Sequence, residues 1–362
     1  MKIVYLIEDF SVKGGAERIV AEKASLLAGR CGHDVTIVSV FRDDRPQSYP
    51  LGPGVSLERL DVPFPERSRG PVLKAATRLR TLALASARFN RLMRRCRPDI
   101  IFFTLGMGAL LLPLCRCGAR RVYESHLARR FTPYHRLFTP AEMCADLVVC
   151  LTRGDAAEYR HARRTAVIPN FIDMPAVSVS DYSVRRAVAV GRLERAKGFD
   201  RLISCWREAA ADRPGWTLDI YGEGTQREAL RRQIAQLGLE GSVRLCGRVD
   251  DIIERYARYS LFIVSSRFEG QNIALLEAQA SGLPVVTFNY DYGASDIVTD
   301  GRNGSIVPQD DTAAFTVALK TMMDDADLRR RCGLNGKETI ISKFSKEKIF
   351  QQWVSLIKEL RS

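Results

Sequence analysis

The sequence predicts two doubly wound α/β units in tandem. Short apolar runs alternate with helical segments along nearly the whole chain. The alternation lapses at residues 174–185 and restarts at Ala187. The length, 362 residues, suits two domains at the usual ~100–200 residues each. Regular strand–helix alternation implies parallel sheets covered by helices on both faces. Two such units imply a cleft between them, which is a preferred place for a ligand.

In the first half, Lys2 to Glu8 is an apolar strand and Ser11 to Gly15, S-V-K-G-G, a glycine loop. Ala16 to Ala28 follows as a helix with Ile19, Val20, Leu26 and Leu27 on its apolar positions, and Asp34 to Val40 as a strand. This is a mononucleotide-type βαβ unit with a phosphate-sized cradle at the helix start. It lacks the G-x-G-x-x-G pattern, which argues against a dinucleotide site and hence a dehydrogenase. Residues 67–97 hold ten basic residues and no acidic one. On a helical projection Val72, Ala76, Leu79, Leu82, Ala83, Phe89 and Met93 share one face, and Lys74, Arg78, Arg88, Arg91 and Arg95 the other. Such a helix suits an anionic membrane surface, or a core-packed position with a solvated basic face. Its aromatics are not interleaved with the arginines as single-strand nucleic-acid binders need. Further strands are expected at Asp99 to Thr104, Arg121 to Ser125, Asp146 to Leu151 and Ala166 to Ile168. His126 ends the second of these, in Y-E-S-H, where open α/β sheets place ligands. Glu124 is a weaker candidate, since it can face the opposite way.

In the second half, Ala187 to Val190 is a strand, followed by G-R-L-E-R-A-K-G-F-D. Helices are expected at Phe199 to Ala210, Gln226 to Leu237, Ile252 to Tyr259, Asp310 to Met323 and Lys346 to Leu360. Strands are expected at Trp216 to Tyr221, Val243 to Cys246, Leu261 to Ser266, Val285 to Phe288 and Ser305 to Val307. The stretch from Arg267 to Pro284, R-F-E-G-Q-N-I-A-L-L-E-A-Q-A-S-G-L-P, reads as glycine turn and helix after a buried strand. Gly270, Gln271, Asn272 and Ile273 then lie at a helix N-terminus, where anionic groups are stabilised. Glu269 and Glu277 are spaced for hydroxyls at two ends of an elongated ligand such as a sugar nucleotide, not for a metal. Arg192 and Lys197, around one loop, would hold a diphosphate and neutralise charge as it leaves.

Composition narrows the class. Hydrophobic content of 46% and charged content of 27% are those of a soluble globular protein. The net charge of +13 is uneven: residues 1–180 hold 28 of the 55 basic residues but only 17 of the 42 acidic ones. The nine cysteines contain no C-x-x-C pair, so zinc is disfavoured and buried free thiols in a reducing cytoplasm are expected. No signal peptide is expected, because Met1 to Tyr5 runs directly into a strand. The uncharged run Ile100 to Cys115 is short for a membrane span.

The motifs G-G-A-E-R, E-S-H, P-N-F-I-D, G-R-L-E-R-A-K-G-F-D, Y-G-E-G, E-x7-E and D-G-R-N-G-S-I-V occur in this order. In that combination the chain resembles the family 4 retaining glycosyltransferases of GT-B fold, two Rossmann-like domains facing across a cleft. It is similar to the subgroup that builds bacterial lipid-linked oligosaccharides and surface polysaccharides. The resemblance implies an acceptor- and membrane-facing domain at 1–173, a nucleotide-sugar domain at 174–345 and a helix at 346–362 packing back on the first. It implies a UDP-sugar donor, hexose or N-acetylhexosamine, a lipid-linked glycan acceptor at the inner membrane face, and no cofactor or metal. Asp325-Ala326-Asp327 is formally D-x-D but reads as a helix cap.

By the same resemblance, Gly15 lets its backbone N–H approach the donor phosphate and His126 lies near the reacting centre. Arg192 and Lys197 bind the diphosphate, and Val249 meets the base through its backbone. Glu269 holds donor-sugar hydroxyls and Glu277 the ribose. Gln271-Asn272, where many relatives have an aromatic residue or Leu, leaves the donor sugar open. Two other functions remain compatible with the architecture: a sugar-nucleotide epimerase and a noncatalytic glycan- or membrane-binding protein.

Overall fold

The computed structural model describes residues 1–42, 45–65, 71–131, 138–176, 179 and 181–361. They form two compact units, Met1–Pro169 with Phe350–Ser362, and Asn170–Ile349. The division falls inside P-N-F-I-D. Of the segments discussed above, residues 67–70 of the basic stretch and 177, 178 and 180 of the aperiodic one lie outside the described residues.

In the first unit the order is β1 (Lys2–Ile7), α1 (Gly15–Cys31), β2 (Asp34–Phe41), β3 (Val55–Val62), α2 (Pro71–Cys96), β4 (Ile100–Thr104), α3 (Leu105–Leu111), β5 (Arg120–Glu124), α4 (Thr139–Cys144), β6 (Leu147–Cys150), α5 (Arg153–Glu158) and β7 (Thr165–Val167). The seven strands make one sheet in the order β3-β2-β1-β4-β5-β6-β7, every pair parallel. Strands β1 and β4 are continuous apolar runs because helices cover both faces.

In the second unit come β8 (Arg186–Val190), α6 (Phe199–Ala210), β9 (Thr217–Tyr221), α7 (Arg227–Gln236), β10 (Val243–Gly247), α8 (Ile252–Arg255), β11 (Leu261–Val264), α9 (Ile273–Ala280), β12 (Val285–Phe288), α10 (Ala294–Ile297), β13 (Gly304–Val307), α11 (Thr312–Asp324) and α12 (Ala326–Lys343). Its sheet, β10-β9-β8-β11-β12-β13, repeats the same reversal of order. The chain ends in α13 (Lys346–Arg361), whose residues from Phe350 belong to the first unit. Each sheet reverses its strand order once, beside β1/β4 and beside β8/β11. The carboxyl ends of the strands at such a reversal leave a crevice for ligands.

Several elements depart from the sequence reading. β3 was not foreseen: it is an edge strand with a mostly half-exposed, alternating pattern, so no apolar run marks it. Helix α12 was missed too. Its two glycines weaken the helical signal, yet close packing uses one of them: a Cβ on Gly333 would collide with the Gly282 carbonyl at the end of α9. The expected helix at Ile252 to Tyr259 is one α-turn followed by a 3₁₀ turn, Tyr256–Arg258. The apolar stripe drawn along the basic helix is buried only in its second half. Ala85, Phe89, Leu92 and Met93 reach the core, whereas Val72 is 82% and Leu79 68% exposed. Among the described residues no helix is long and apolar enough to cross a membrane.

Candidate active site

In the second unit the predicted residues gather on two loops, one after β8 and one after β11, which flank the sheet reversal. The β8 loop ends in a 3₁₀ turn over Arg195–Lys197, closed by Gly198 at φ 64°. A side chain at Gly198 would be strained by that backbone and would strike the Ser265 carbonyl. The glycine thus lets the two loops touch. Arg267 N donates to the Ala196 carbonyl at 2.7 Å, and its guanidinium forms a two-pronged pair with Asp200 at 2.8 and 2.7 Å. That pairing holds the Asp200 carboxyl below the ordinary carboxylate range. Arg201 sits beneath, nearly buried. It donates to the Ser265 and Ser266 carbonyls at 2.8 and 2.6 Å, lies 3.9 Å over the Phe288 ring and pairs with Asp310.

This framework brings Lys197 and Glu269 together. Lys197 Nζ lies 2.5 Å from Glu269 Oε1, with the two side chains 19% and 13% exposed. The same oxygen accepts from Ser266 Oγ at 2.6 Å and Asn272 Nδ2 at 3.2 Å. Asn272 is also the N-cap of α9, its Oδ1 accepting from Leu275 N at 3.1 Å. A cation and a carboxylate are therefore fixed at the start of a helix, where backbone N–H groups without an intrahelical acceptor favour an anion. Glu277 lies on α9, 5% exposed, so the reading of a solvated glutamate is excluded. Arg192 projects from the β8 loop as an exposed guanidinium. Val249 is half-buried after β10, and Gly270 and Ile273 are half-buried beside the helix start.

Two neighbouring residues, Asn170 and Tyr290, were not foreseen as site residues, and Asn170 meets the predicted Gln271. Gln271 Oε1 accepts from Asn170 N at 2.6 Å, while Gln271 Nε2 and Asn170 Oδ1 are buried with no hydrogen-bond partner. Unpaired buried polar groups cost on the order of 1–3 kcal/mol each, and the pair leaves one donor and one acceptor without a protein partner. Tyr290 Oη, also buried and unpartnered, sits in the field of Glu269; burial and then that charge push its pKa well up. Some matching motifs are structural. Asn303 of D-G-R-N-G is fully buried, donating to the Ile297 carbonyl at 2.9 Å and accepting from Thr299 N at 2.7 Å. Asp325 caps α12 by accepting from Leu328 N at 2.8 Å. Among the described residues no three His, Cys, Asp or Glu side chains are grouped to hold a metal.

In the first unit Gly14 caps α1 and Gly15 is its first, exposed residue. Glu17, in the first turn, is buried; desolvation raises its pKa, with the charges of Asp9 and Glu8 adding to the effect and that of His126 opposing it. His126 follows β5 with its side chain only 4% exposed, Nε2 being 3.3 Å from Glu124 Oε1. Glu124 and His126 therefore lie on the same side of the sheet end, which strand alternation alone does not reveal. Lys23, from the apolar side of α1, completes the group: Nζ lies 2.5 Å from both Glu124 oxygens. The signal for it was a lysine at a core position of the helix. Burial raises the Glu124 pKa, but Lys23 and His126 outweigh it and bring it to about 2.

The basic helix splits in use. Arg88 donates to the Leu60 and Asp61 carbonyls at 2.7 and 2.8 Å, and Arg95 pairs with Glu58 at 3.0 Å, so these two fasten α2 to β3 and are not simply a solvated basic face. Lys74, Arg78 and Arg91 are exposed.

Two family descriptions match the chain: "Glycosyltransferase Family 4" over residues 13–174 and "Glycosyl transferases group 1" over residues 174–339. An exopolysaccharide phosphotransferase of Streptomyces coelicolor is 29% identical across the whole chain, which spans 41% of that protein's length. The amylovoran biosynthesis glycosyltransferase AmsD of Erwinia amylovora is 27% identical over 91% of this chain and 92% of its own. The structure of Anabaena HepE in complex with UDP shares the fold with a TM-score of 0.75 at 19% identity, covering 99% of this chain and all of that one.

Proposed function

The chain belongs to the group 1 and family 4 glycosyltransferases and has their GT-B fold; from that premise we propose that it moves a hexose or N-acetylhexosamine from a UDP-sugar, with retention, to a lipid-linked or surface-polysaccharide glycan at the cytoplasmic membrane face. The observation that carries the donor half is the Lys197–Glu269 pair at the sheet reversal. A nucleoside diphosphate sugar offers an anionic centre to Lys197 and Arg192, and to the backbone N–H groups of Gly270 to Ile273 at the start of α9. Its sugar hydroxyls match Glu269, Gln271 and Asn170. Glu277 takes the ribose and Val249 the base. UDP is the nucleotide in the HepE complex.

In this reading the bond from the anomeric carbon to the diphosphate oxygen breaks and its electron pair leaves with the UDP. The acceptor hydroxyl attacks the same face, and its proton passes to the departing phosphate oxygen. Lys197 and Arg192 neutralise the charge that develops, and Glu269 offsets positive charge on the sugar. His126 borders the reacting centre. No bound cofactor is needed for this displacement.

The membrane half rests on α2. Its first turns expose Val72, Leu73 and Leu79 between Lys74, Arg78 and Arg80, the pattern of a helix that lies in an anionic interface. The test is a panel of nucleoside diphosphates and their sugars in thermal unfolding. A ligand at about 100-fold its dissociation constant adds roughly 2.7 kcal/mol. A raised midpoint with UDP and one UDP-sugar alone supports the reading. A response to GDP or ADP species overturns the donor, and no response to any of them overturns the function.

A further inference from the structure

We propose that Lys23 and Glu124 are positioning residues for His126: the buried lysine holds Glu124 as a fixed acceptor beside the His126 Nε2 and so sets how the imidazole is turned. The inference rests on the role given to His126 above.

The three residues lie in line within the first unit. Lys23 is 0% exposed. Its ammonium lies 3.7 Å from the Trp353 ring centre, 5.0 Å from that of Tyr5 and 5.5 Å from that of Phe102. Three aromatic faces thus stand where water would otherwise solvate the charge. On its remaining side it meets both oxygens of Glu124 at 2.5 Å. One of those oxygens, Oε1, lies 3.3 Å from His126 Nε2, which is buried and not yet in hydrogen-bond geometry with any partner among the described residues. Lys23 comes from α1, Glu124 ends β5, and Trp353 comes from α13, whose residues from Phe350 belong to this unit.

Stability alone is a poor reason for this arrangement. A buried ion pair is commonly matched or exceeded by apolar residues of similar volume. Leu or Met at 23 would satisfy the three rings equally well. The pair has a clear effect on Glu124. Left alone in this burial its carboxyl would tend to keep a proton and could then donate as well as accept. Beside Lys23 it stays ionised and can only accept. An ionised Glu124 favours the ring orientation that brings the Nε2–H to it, and a small turn of the imidazole from the 3.3 Å contact makes that bond. Catalytic and metal-bound histidines are held by the same kind of outer partner.

Two double variants separate positioning from packing, and both avoid stranding a buried charge. Lys23→Met with Glu124→Gln keeps an acceptor oxygen near His126, whereas Lys23→Met with Glu124→Leu removes it. The first readout is proton NMR of the full chain. The sequence has four histidines, and His126→Gln assigns the resonance of interest. A low-field Nε2–H signal is expected in the wild type and the Gln double variant and is expected to vanish in the Leu one. The second readout is UDP release from UDP-glucose and UDP-N-acetylglucosamine. The Leu double variant should lose roughly 10- to 100-fold in kcat, the scale of a lost outer partner, with KM unchanged, while the Gln variant, whose amide can accept but can also donate, should lose clearly less. Wild-type kcat with an unchanged signal in the Leu variant overturns the inference, and so does equal loss in both variants. Lys23→Leu with Glu124→Met repeats the comparison with a different filling of the same volume. If His126→Gln is fully active, the role of His126 in the proposed function falls. If it is inactive while the Leu double variant is not, only the inference falls.

Discussion

Lys197→Met removes the ammonium at the diphosphate site while keeping most of its stem. Glu269 Oε1 retains its bonds from Ser266 Oγ at 2.6 Å and Asn272 Nδ2 at 3.2 Å, so the carboxylate is not left without partners. The lost charge-assisted bond is worth roughly 1.5–3 kcal/mol at most; partial exposure of the pair brings the cost to about 1–2 kcal/mol. For a unit the size of the second one this lowers the unfolding midpoint by about 2–8 °C, and the variant should fold. Its chemistry should fail much more severely. Losing one stabilising group where transition-state charge develops costs about 10²–10³ in kcat, or about 2.7–4 kcal/mol. The assay is the initial rate of UDP release from UDP-glucose and UDP-N-acetylglucosamine, beside calorimetric titration with UDP. Turnover and UDP affinity equal to wild type in a folded Lys197→Met chain would refute the assignment.

Glu277→Ala should weaken UDP binding by about 10- to 100-fold, the value of a hydrogen bond to a charged group, and unaltered calorimetric affinity would remove the ribose role. Glu17→Gln should raise the melting midpoint at pH 8. The folded-state pKa of Glu17 lies above its ordinary value because of burial, so the charged form is disfavoured in the fold and its stabilising share is lost as pH rises through that value. The advantage should disappear near pH 4, where the wild-type carboxyl is protonated in the fold; a gain that persists there would contradict the sign. Full-length chain should sediment with anionic vesicles in a salt-sensitive way, and Val72→Asp with Leu79→Asp should reduce it. Equal sedimentation with neutral vesicles would count against α2 as a membrane contact.

Much of this was legible in the sequence, for specific reasons. Helix α6 and strand β12 appear within the bounds expected, since a glycine precedes one and a proline the other, and both are strongly apolar on their buried sides. The turn holding Glu269 was visible because glycine, a capping Asn and a helix pattern follow a buried strand. What escaped depends on tertiary partners. Arg201 reads as one more helix-surface arginine, yet it clamps two carbonyls after β11. Asn170 is marked only by its motif, and its place beside Gln271, 101 residues away, has no local signature. Lys23 stands on the apolar stripe of α1, but its partners, Glu124 and the Trp353 ring, have no local signature. Helix α2 shows the converse: its period is right over 26 residues, but no period says how much of the face finds a core.

The most direct measurement is hydrogen–deuterium exchange of the whole chain with and without UDP. The donor site described here predicts slowed exchange in the segments 191–199 and 266–280, with little change along the first turns of α2. Binding of UDP that leaves both segments unprotected, or protects β3 and α2 in their place, would contradict a nucleotide site built on Lys197 and Glu269.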